Sequence, residues 1–150
     1  MADGGEIPWG TDPPFRAPVF VVTSRPRPTL HRQGGTSFTY ITAGIGSAIE
    51  QARAAASGKN VAIAGGGTLL RQVIKLGLLD ELELHIVPVI LGDGMRLLGP
   101  ELGLDSMQGI ELTPAHVTAT PDVTHIRYKI DGRHPLVLDN RGRDEAPATP

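Results

Sequence analysis

The chain has 150 residues, with 14 basic and 16 acidic side chains and a formal net charge of −2 at pH 7. This length predicts one domain with room for a hydrophobic core, and the near-balanced charge disfavours a nucleic-acid-binding protein. The absence of cysteine excludes disulfides, a thiolate nucleophile and cysteine metal sites. No apolar run approaches the ~20 residues of a membrane helix and no signal peptide is recognisable, so a cytoplasmic protein is the default expectation.

The first half of the chain carries both strand and helix patterns. Residues 1–17 are rich in glycine and proline and have no period. Val19–Val22 is a continuous apolar run that predicts a buried strand, and Thr36–Thr42 predicts a second strand. The apolar stripe within Ile45–Ala56 has a helical period, so we predict a helix there that stops at Gly58.

A glycine-rich stretch in the middle of the chain is its most informative feature. The β-branched run Val61–Ala64 stops at Gly65, Gly66 and Gly67, and a helical pattern over Thr68–Leu76 follows. This order predicts a buried strand, a tight turn and a helix N-terminus. The unpaired N–H groups and positive dipole end of such a helix suit a phosphate. A tight connection without any ligand is an equally weighted alternative.

Neither of two common phosphate motifs is completed by this stretch. A P-loop requires a lysine after the glycines, whereas Thr68 and Leu69 follow them here. The Rossmann fingerprint requires a third glycine at the position that Leu70 occupies. Any nucleotide site at these glycines is therefore of another type.

The second half of the chain predicts strands joined by short turns. Leu82–Leu91 is the strongest strand pattern, and Pro88 within it predicts an edge, a bulge or a bend. Ile110–Ala119 and Val123–Ile130 flank a turn signal and predict an antiparallel hairpin. Residues 132–150 are charged and aperiodic, which predicts a disordered tail. The element order predicts an α/β fold whose mostly parallel central sheet is flanked by helices and ends in the hairpin.

The polar residues indicate neither a metal site nor a catalytic residue. Asp80 and Glu81 form a carboxylate pair, but solvated turn residues fit their position better than acid–base chemistry does. The histidines lack helical ligand spacing and cysteine partners, which favours ordinary strand and loop histidines over a metal site. The five are His31, His85, His116, His125 and His134.

Five segments together give the chain a resemblance to a known family. They are 17–26 (APVFVVTSRP), 61–67 (VAIAGGG), 77–82 (GLLDEL), 88–97 (PVILGDGMRL) and 123–128 (VTHIRY). In this combination the chain resembles the dihydrofolate reductase-like superfamily, in particular the reductase domain of the bifunctional deaminase–reductases of riboflavin biosynthesis and its stand-alone relatives. The resemblance covers roughly residues 7 to 130 and implies a reductase-like domain over residues 1–131.

The resemblance implies NADPH as the cofactor and assigns two groups of residues to it. The residues implied to hold the pyrophosphate are Gly65, Gly66, Gly67, Thr68 and Leu69. The residues implied to hold the adenosine 2′-phosphate are Thr23, Ser24 and Arg25. Two hydroxyls and a guanidinium suit a dianionic phosphate, whereas without the family Arg25 would be read as a solvated loop arginine.

The resemblance implies a pyrimidine- or pterin-like substrate, above all 5-amino-6-(5-phosphoribosylamino)uracil of riboflavin synthesis. No deaminase zinc motif is present, so we expect a reductase that stands alone. Compared with the family, the chain is expected to lack the first strand and the first cofactor-binding helix, either through a misassigned start or as a fragment. Two alternatives stay open: a non-catalytic nucleotide-binding or dimerising fragment, and a related reductase with another substrate.

The resemblance also implies a homodimer, because family members pair through their C-terminal strands. The alternating segment Val123–Ile130 is the expected contact, and a monomeric sedimentation profile at micromolar protein would contradict it. Membrane and nucleic-acid partners are not expected, since the chain has neither a long apolar run nor a basic footprint.

Overall fold

The computed structural model describes residues 9–99 and 109–130. The chain divides into two compact units, Met1–Ala64 and Gly65–Pro150, which are described here one at a time. Each unit contains strands and a helix, so the expected α/β composition is confirmed. None of the helices in the described residues is long and apolar enough to cross a membrane. The predicted tail at residues 132–150 and the domain end before it lie outside the described residues.

The first unit is a three-stranded sheet followed by one helix. Its strands are β1 (Pro18–Val22), β2 (Leu30–His31) and β3 (Ser37–Ile41), in the order β1-β3-β2. Strands β1 and β3 are parallel along their whole length, whereas β2 is antiparallel to β3. Helix α1 spans Ile45–Ala56, so the predicted bounds of this helix are confirmed. A short 3-10 turn at Gln33–Gly35 and strand β2 lie between the two predicted strands Val19–Val22 and Thr36–Thr42, where no regular element was predicted.

The core of the first unit lies where α1 covers β1 and β3. Phe38 on β3 is 2% exposed, and the ring of Phe15 meets it edge-on with centroids 6.2 Å apart. The Oγ1 of buried Thr36 donates to the carbonyl of Phe15 at 2.5 Å, so the chain before β1 is fastened to the sheet. The buried residues of α1 are those of the predicted apolar stripe: Ile45, Ala48 and Ile49.

The second unit combines one helix with an antiparallel sheet. Helix α2 (Gly67–Lys75) precedes strands β4 (Glu81–Ile86), β5 (Leu112–Ala119) and β6 (Thr124–Ile130). The strand order is β4-β6-β5, so β6 is paired on both sides. Four residues of the helical pattern were expected to face inward, namely Leu69, Leu70, Val73 and Ile74. Val73 and Ile74 are buried, whereas Leu69 and Leu70 are half-buried.

The predicted hairpin is confirmed as β5 and β6. The hydrogen bonds of its turn include one from the Thr120 amide to the Val123 carbonyl at 2.9 Å and one from the Val123 amide to the Thr120 Oγ1 at 3.0 Å. A register shift between Pro114 and His116 places a bulge in β5. Strand β6 is paired on both of its edges, so the segment Val123–Ile130, which was expected to form the homodimer contact, has no free edge for it. Among the described strands, β5 is the hairpin strand whose outer edge is unpaired.

Two expectations about the sheet are wrong. Val61–Ala64 does not pair with any strand of the described residues, and it alternates between half-buried and exposed side chains. A β-branched run becomes a strand only where a neighbouring strand supplies hydrogen-bond partners, and a sequence pattern does not reveal that neighbour. The described strands also form two three-stranded sheets rather than one mostly parallel sheet, and β1 with β3 is the one parallel pair among them.

The predicted strand Leu82–Leu91 ends earlier than expected. Strand β4 stops at Ile86, and the chain bends at Pro88, which is one of the outcomes predicted for this proline. Proline has no N–H to donate, so it cannot continue a ladder. The side chains beyond the end of β4 are exposed, by 56% at Val87 and 98% at Ile90.

Two valines of the second unit provide a matched test of this packing. Val73 is 0% exposed and Val87 is 56% exposed. We expect Val73→Ala to lower the free energy of unfolding by about 2 kcal/mol, because each buried methylene contributes ~0.8 kcal/mol and a cavity remains. Val87→Ala removes the same atoms from a solvated position and should change it by less than about 0.5 kcal/mol. Urea unfolding measures both, and equal midpoints would contradict the burial of Val73.

Candidate functional site

The glycine stretch forms the start of helix α2. Gly66 is the N-cap and Gly67 is the first helical residue. The carbonyl of Gly66 accepts the amides of Leu69 at 3.0 Å and Leu70 at 3.3 Å. The amides of Gly67 and Thr68 belong to the first turn, whose N–H groups have no acceptor within the helix. These amides lie at the positive end of the helix dipole, which suits an anion.

The absence of side chains at the helix start has two different consequences. A Cβ on Gly67 would lie 2.7 Å from Nη1 of Arg71, 3.1 Å from the Leu97 carbonyl and 3.3 Å from the Arg96 carbonyl. The backbone at residues 96–97 therefore approaches α2 this closely because Gly67 has no side chain. A Cβ on Gly66 would have no neighbouring atom within 4 Å. The space beside Gly66 is therefore open.

Arg71 is a candidate site residue that the sequence analysis missed. Its Nη1 donates to the carbonyls of Arg96 at 3.0 Å and Leu97 at 3.2 Å, and its Nη2 donates to the Thr68 Oγ1 at 3.3 Å. These three bonds use three of the five N–H donors of a guanidinium. The spacing of four residues from Gly67 places Arg71 on the same helix face, and this periodicity was the signal that could have identified it.

The loop after β1 holds the second predicted group. The amide of Thr23 donates to the Ile41 carbonyl at 3.0 Å, which extends the β1–β3 ladder by one residue. The Thr23 Oγ1 accepts the amide of Arg25 at 3.1 Å, so the three residues form a local turn. Ser24 and Arg25 are exposed and Thr23 is half-buried. The turn therefore presents two hydroxyls and one guanidinium close together in the chain.

The two arginines of this loop have different surroundings. The Cζ of Arg27 lies 5.7 Å from the centroid of the Tyr40 ring, which is a cation–π contact. Arg25 is exposed and takes part in none of the ion pairs found within the described residues. The charge of Arg25 is therefore available to an anionic ligand, whereas Arg27 already has an aromatic partner.

The predicted site residues fall into two groups, one in each compact unit. Thr23, Ser24 and Arg25 belong to the first unit, and the residues of Gly65–Leu69 belong to the second. Each group is local and carries hydrogen-bond donors that suit an anion. The first group has two hydroxyls and a guanidinium. The second has helix amides and the Thr68 hydroxyl, with the Arg71 guanidinium one helical turn further along α2.

A groove of about 470 Å³ in the second unit is a poor match for a phosphate. It lies at the C-terminal end of α2, and the nine residues of this helix put that end about 13 Å from the helix start. The negative end of the helix dipole disfavours an anion there. The lining is mostly aliphatic and comprises Ile74, Lys75, Leu76, Gly77, Leu79, Asp80, Ile110 and Ile130.

Two histidines that the sequence analysis treated as separate are partners in the structure. His85 of β4 lies opposite His125 of β6, and their Nδ1 atoms are 2.6 Å apart. The two rings meet edge-on, with centroids 4.8 Å apart and an angle of 74° between their planes. They are 40 residues apart in the chain, so their partnership depends on strand register and no short-range spacing indicates it.

Comparison with known proteins identifies a family. A family model described as the RibD C-terminal domain matches residues 9–126. The uncharacterized protein YyaP of Bacillus subtilis (strain 168) is 37% identical to the chain over 76 residues, which are 50% of this chain and 38% of that protein. The chain therefore spans well under half the length of this relative.

Two solved structures resemble the chain as well. A riboflavin biosynthesis protein from Shewanella sp. PV-4 is 20% identical with a TM-score of 0.59, covering 81% of this chain and 63% of that one. A pyrimidine reductase-like protein from Corynebacterium diphtheriae is 26% identical with a TM-score of 0.47, covering 63% and 38%. The Shewanella likeness supports the α/β fold. Since the family match extends over residues 9–126, this chain belongs to the RibD C-terminal domain family.

Proposed function

We propose that the chain is an NADPH-dependent reductase that acts on 5-amino-6-(5-phosphoribosylamino)uracil in riboflavin biosynthesis. The observation that carries this proposal is the family match over residues 9–126, because both phosphate-fitting groups lie within it. Membership of a reductase family supports oxidoreductase chemistry in general. The choice of cofactor and substrate follows from the family resemblance together with the donors present in each unit.

The start of α2 supplies the donors for the pyrophosphate. The amides of Gly67 and Thr68 point out of the first helical turn, and the open space beside Gly66 admits the ligand. Arg71 retains two N–H donors beyond its three bonds to described residues. Its positive charge also offsets part of the negative charge that a bound pyrophosphate brings to the helix.

The loop after β1 supplies the donors for the 2′-phosphate, the group that distinguishes NADPH from NADH. The Thr23 Oγ1 already accepts the Arg25 amide, so its O–H proton can be donated to a phosphate oxygen. Ser24 contributes a second hydroxyl, and Arg25 offers the planar fork that binds phosphate oxygens in pairs. We therefore assign the preference between the two cofactors to this loop.

When bound, NADPH supplies the hydride that reduces the substrate. The residues named above bind and orient the cofactor through its phosphates and leave the hydride chemistry to the nicotinamide. This division is why a reductase of this kind can lack a recognisable catalytic triad. No catalytic acid is assigned among the described residues.

Cofactor preference tests the assignment of the 2′-phosphate to Arg25. We expect NADPH to raise the melting temperature of the chain more than NADH does, because Arg25 binds the 2′-phosphate. Hydrogen bonds to charged groups contribute ~1.5–3 kcal/mol, so Arg25→Ala should weaken NADPH binding roughly 10- to 100-fold and leave NADH binding unchanged. Arg27→Ala is the matched control, since Arg27 stacks on Tyr40. Thermal-shift titration measures all three proteins, and an equal loss in both variants would contradict the assignment.

Binding of both cofactors tests the assignment of the pyrophosphate to Arg71. Both cofactors contain the pyrophosphate, so Arg71→Ala should weaken NADPH and NADH binding by a similar factor, about tenfold or more. Gln72→Ala is the control, because Gln72 is the next residue on α2 and is exposed. Calorimetric titration with each cofactor measures the factors. A selective loss of NADPH binding alone would assign Arg71 to a different part of the cofactor.

The reductase activity itself is tested with enzymatically prepared substrate. We expect loss of NADPH absorbance that requires the substrate, with the reduced product identified by mass spectrometry. Binding of NADPH without any oxidation would favour the alternative of a non-catalytic nucleotide-binding protein. Oxidation with a different pyrimidine or pterin, and none with the proposed substrate, would favour a related reductase of other specificity.

A further inference from the structure

His85 and His125 converge on one point of the polar sheet face. They lie directly opposite each other in the β4–β6 register, with 2.6 Å between their Nδ1 atoms. A hydrogen bond between these two atoms requires a proton on Nδ1 of one ring and a lone pair on Nδ1 of the other. The two nitrogens are therefore directed at one point between the rings.

Two imidazole nitrogens that meet in this way are the donor set of a borderline transition metal. Zinc–nitrogen bonds are ~2.0–2.1 Å long, so two ligands of a tetrahedral ion lie about 3.3 Å apart. The observed separation of 2.6 Å would have to widen by less than about 1 Å. Rotation of the two side chains provides this change, because His85 is exposed and His125 is half-buried.

The positive charge of Arg127, beside the two histidines, is balanced by Glu83. Arg127 lies two residues after His125 on the same face, and its Nη2 is 3.2 Å from the Glu83 Oε2. On the other side, Thr118 lies opposite His125 in β5, and its Oγ1 is 2.8 Å from the His116 Nε2. Over residues 9–99 and 109–130, no group of three or more histidine, aspartate or glutamate side chains is arranged to hold a metal. Water would complete the coordination.

We propose that His85 and His125 bind one divalent transition-metal ion of the zinc type per chain, with each Nδ1 donating its lone pair to the ion. Both rings then carry their single proton on Nε2. The metal ion takes the place of the proton between the two Nδ1 atoms, and the charge of the rings does not change. No residue of the NADPH site takes part, and the proposal stands whether or not the chain is a reductase. Hard cations such as Mg²⁺ prefer oxygen ligands and are not expected to bind there.

Calorimetric titration of the full chain with ZnCl₂ at neutral pH tests the site, with MgCl₂ as the control ion. We expect one Zn²⁺ per chain and no Mg²⁺ binding. His85→Gln and His125→Gln should each weaken Zn²⁺ binding at least tenfold. His31→Gln is the matched control, because His31 is an exposed strand histidine of the first unit and should leave the affinity unchanged.

A second measurement uses the unmodified chain and does not depend on how the variants fold. In a proton NMR titration of the native chain with Zn²⁺, two of the five imidazole signals should shift together. The proposal is overturned if native protein binds no Zn²⁺, if His85→Gln and His125→Gln bind it like the native chain, or if only one imidazole signal responds.

Discussion

Strand β6 is hydrogen-bonded on both sides, and the organisation of the second unit depends on that pairing. The register that joins β6 to β4 sets His85 against His125 and also sets Glu83 against Arg127. A slip of one residue would turn every side chain of the strand to the opposite face. One pairing therefore determines both the aliphatic face, on which Leu82 is buried, and the polar face that carries the histidines.

The helix start shows how a cluster of hydrogen-bond donors can be built with few side chains. Gly67 allows the carbonyls of Arg96 and Leu97 to come close, and Arg71 fastens those carbonyls to the helix. The Arg71 guanidinium therefore binds the backbone of residues 96–97 and also adds positive charge beside the helix amides. A lysine at this position would supply the charge without the planar fork that reaches two carbonyls and a hydroxyl at once.

Local patterns predicted the elements that depend on local chemistry. The apolar stripe of Ile45–Ala56 and the turn between β5 and β6 were identified because helix period and turn residues are short-range features. Val61–Ala64 and the His85–His125 pair were not, because both depend on which backbone lies alongside. Arg71 was not predicted either, because it lies one helical turn beyond the glycines and belongs to no phosphate motif. Of the candidate site, the sequence therefore predicted the glycines and the loop after β1 but no contact between distant strands.

Pro88 has a consequence for the solubility of the chain. The segment around it, from Ile86 to Leu91, combines strong β-propensity with exposed aliphatic side chains and carries no charge. A segment of this composition with an intact row of N–H groups is a template on which strands of other molecules assemble into cross-β aggregates. By removing one donor and bending the backbone, Pro88 acts as a gatekeeper that keeps this segment from recruiting further copies.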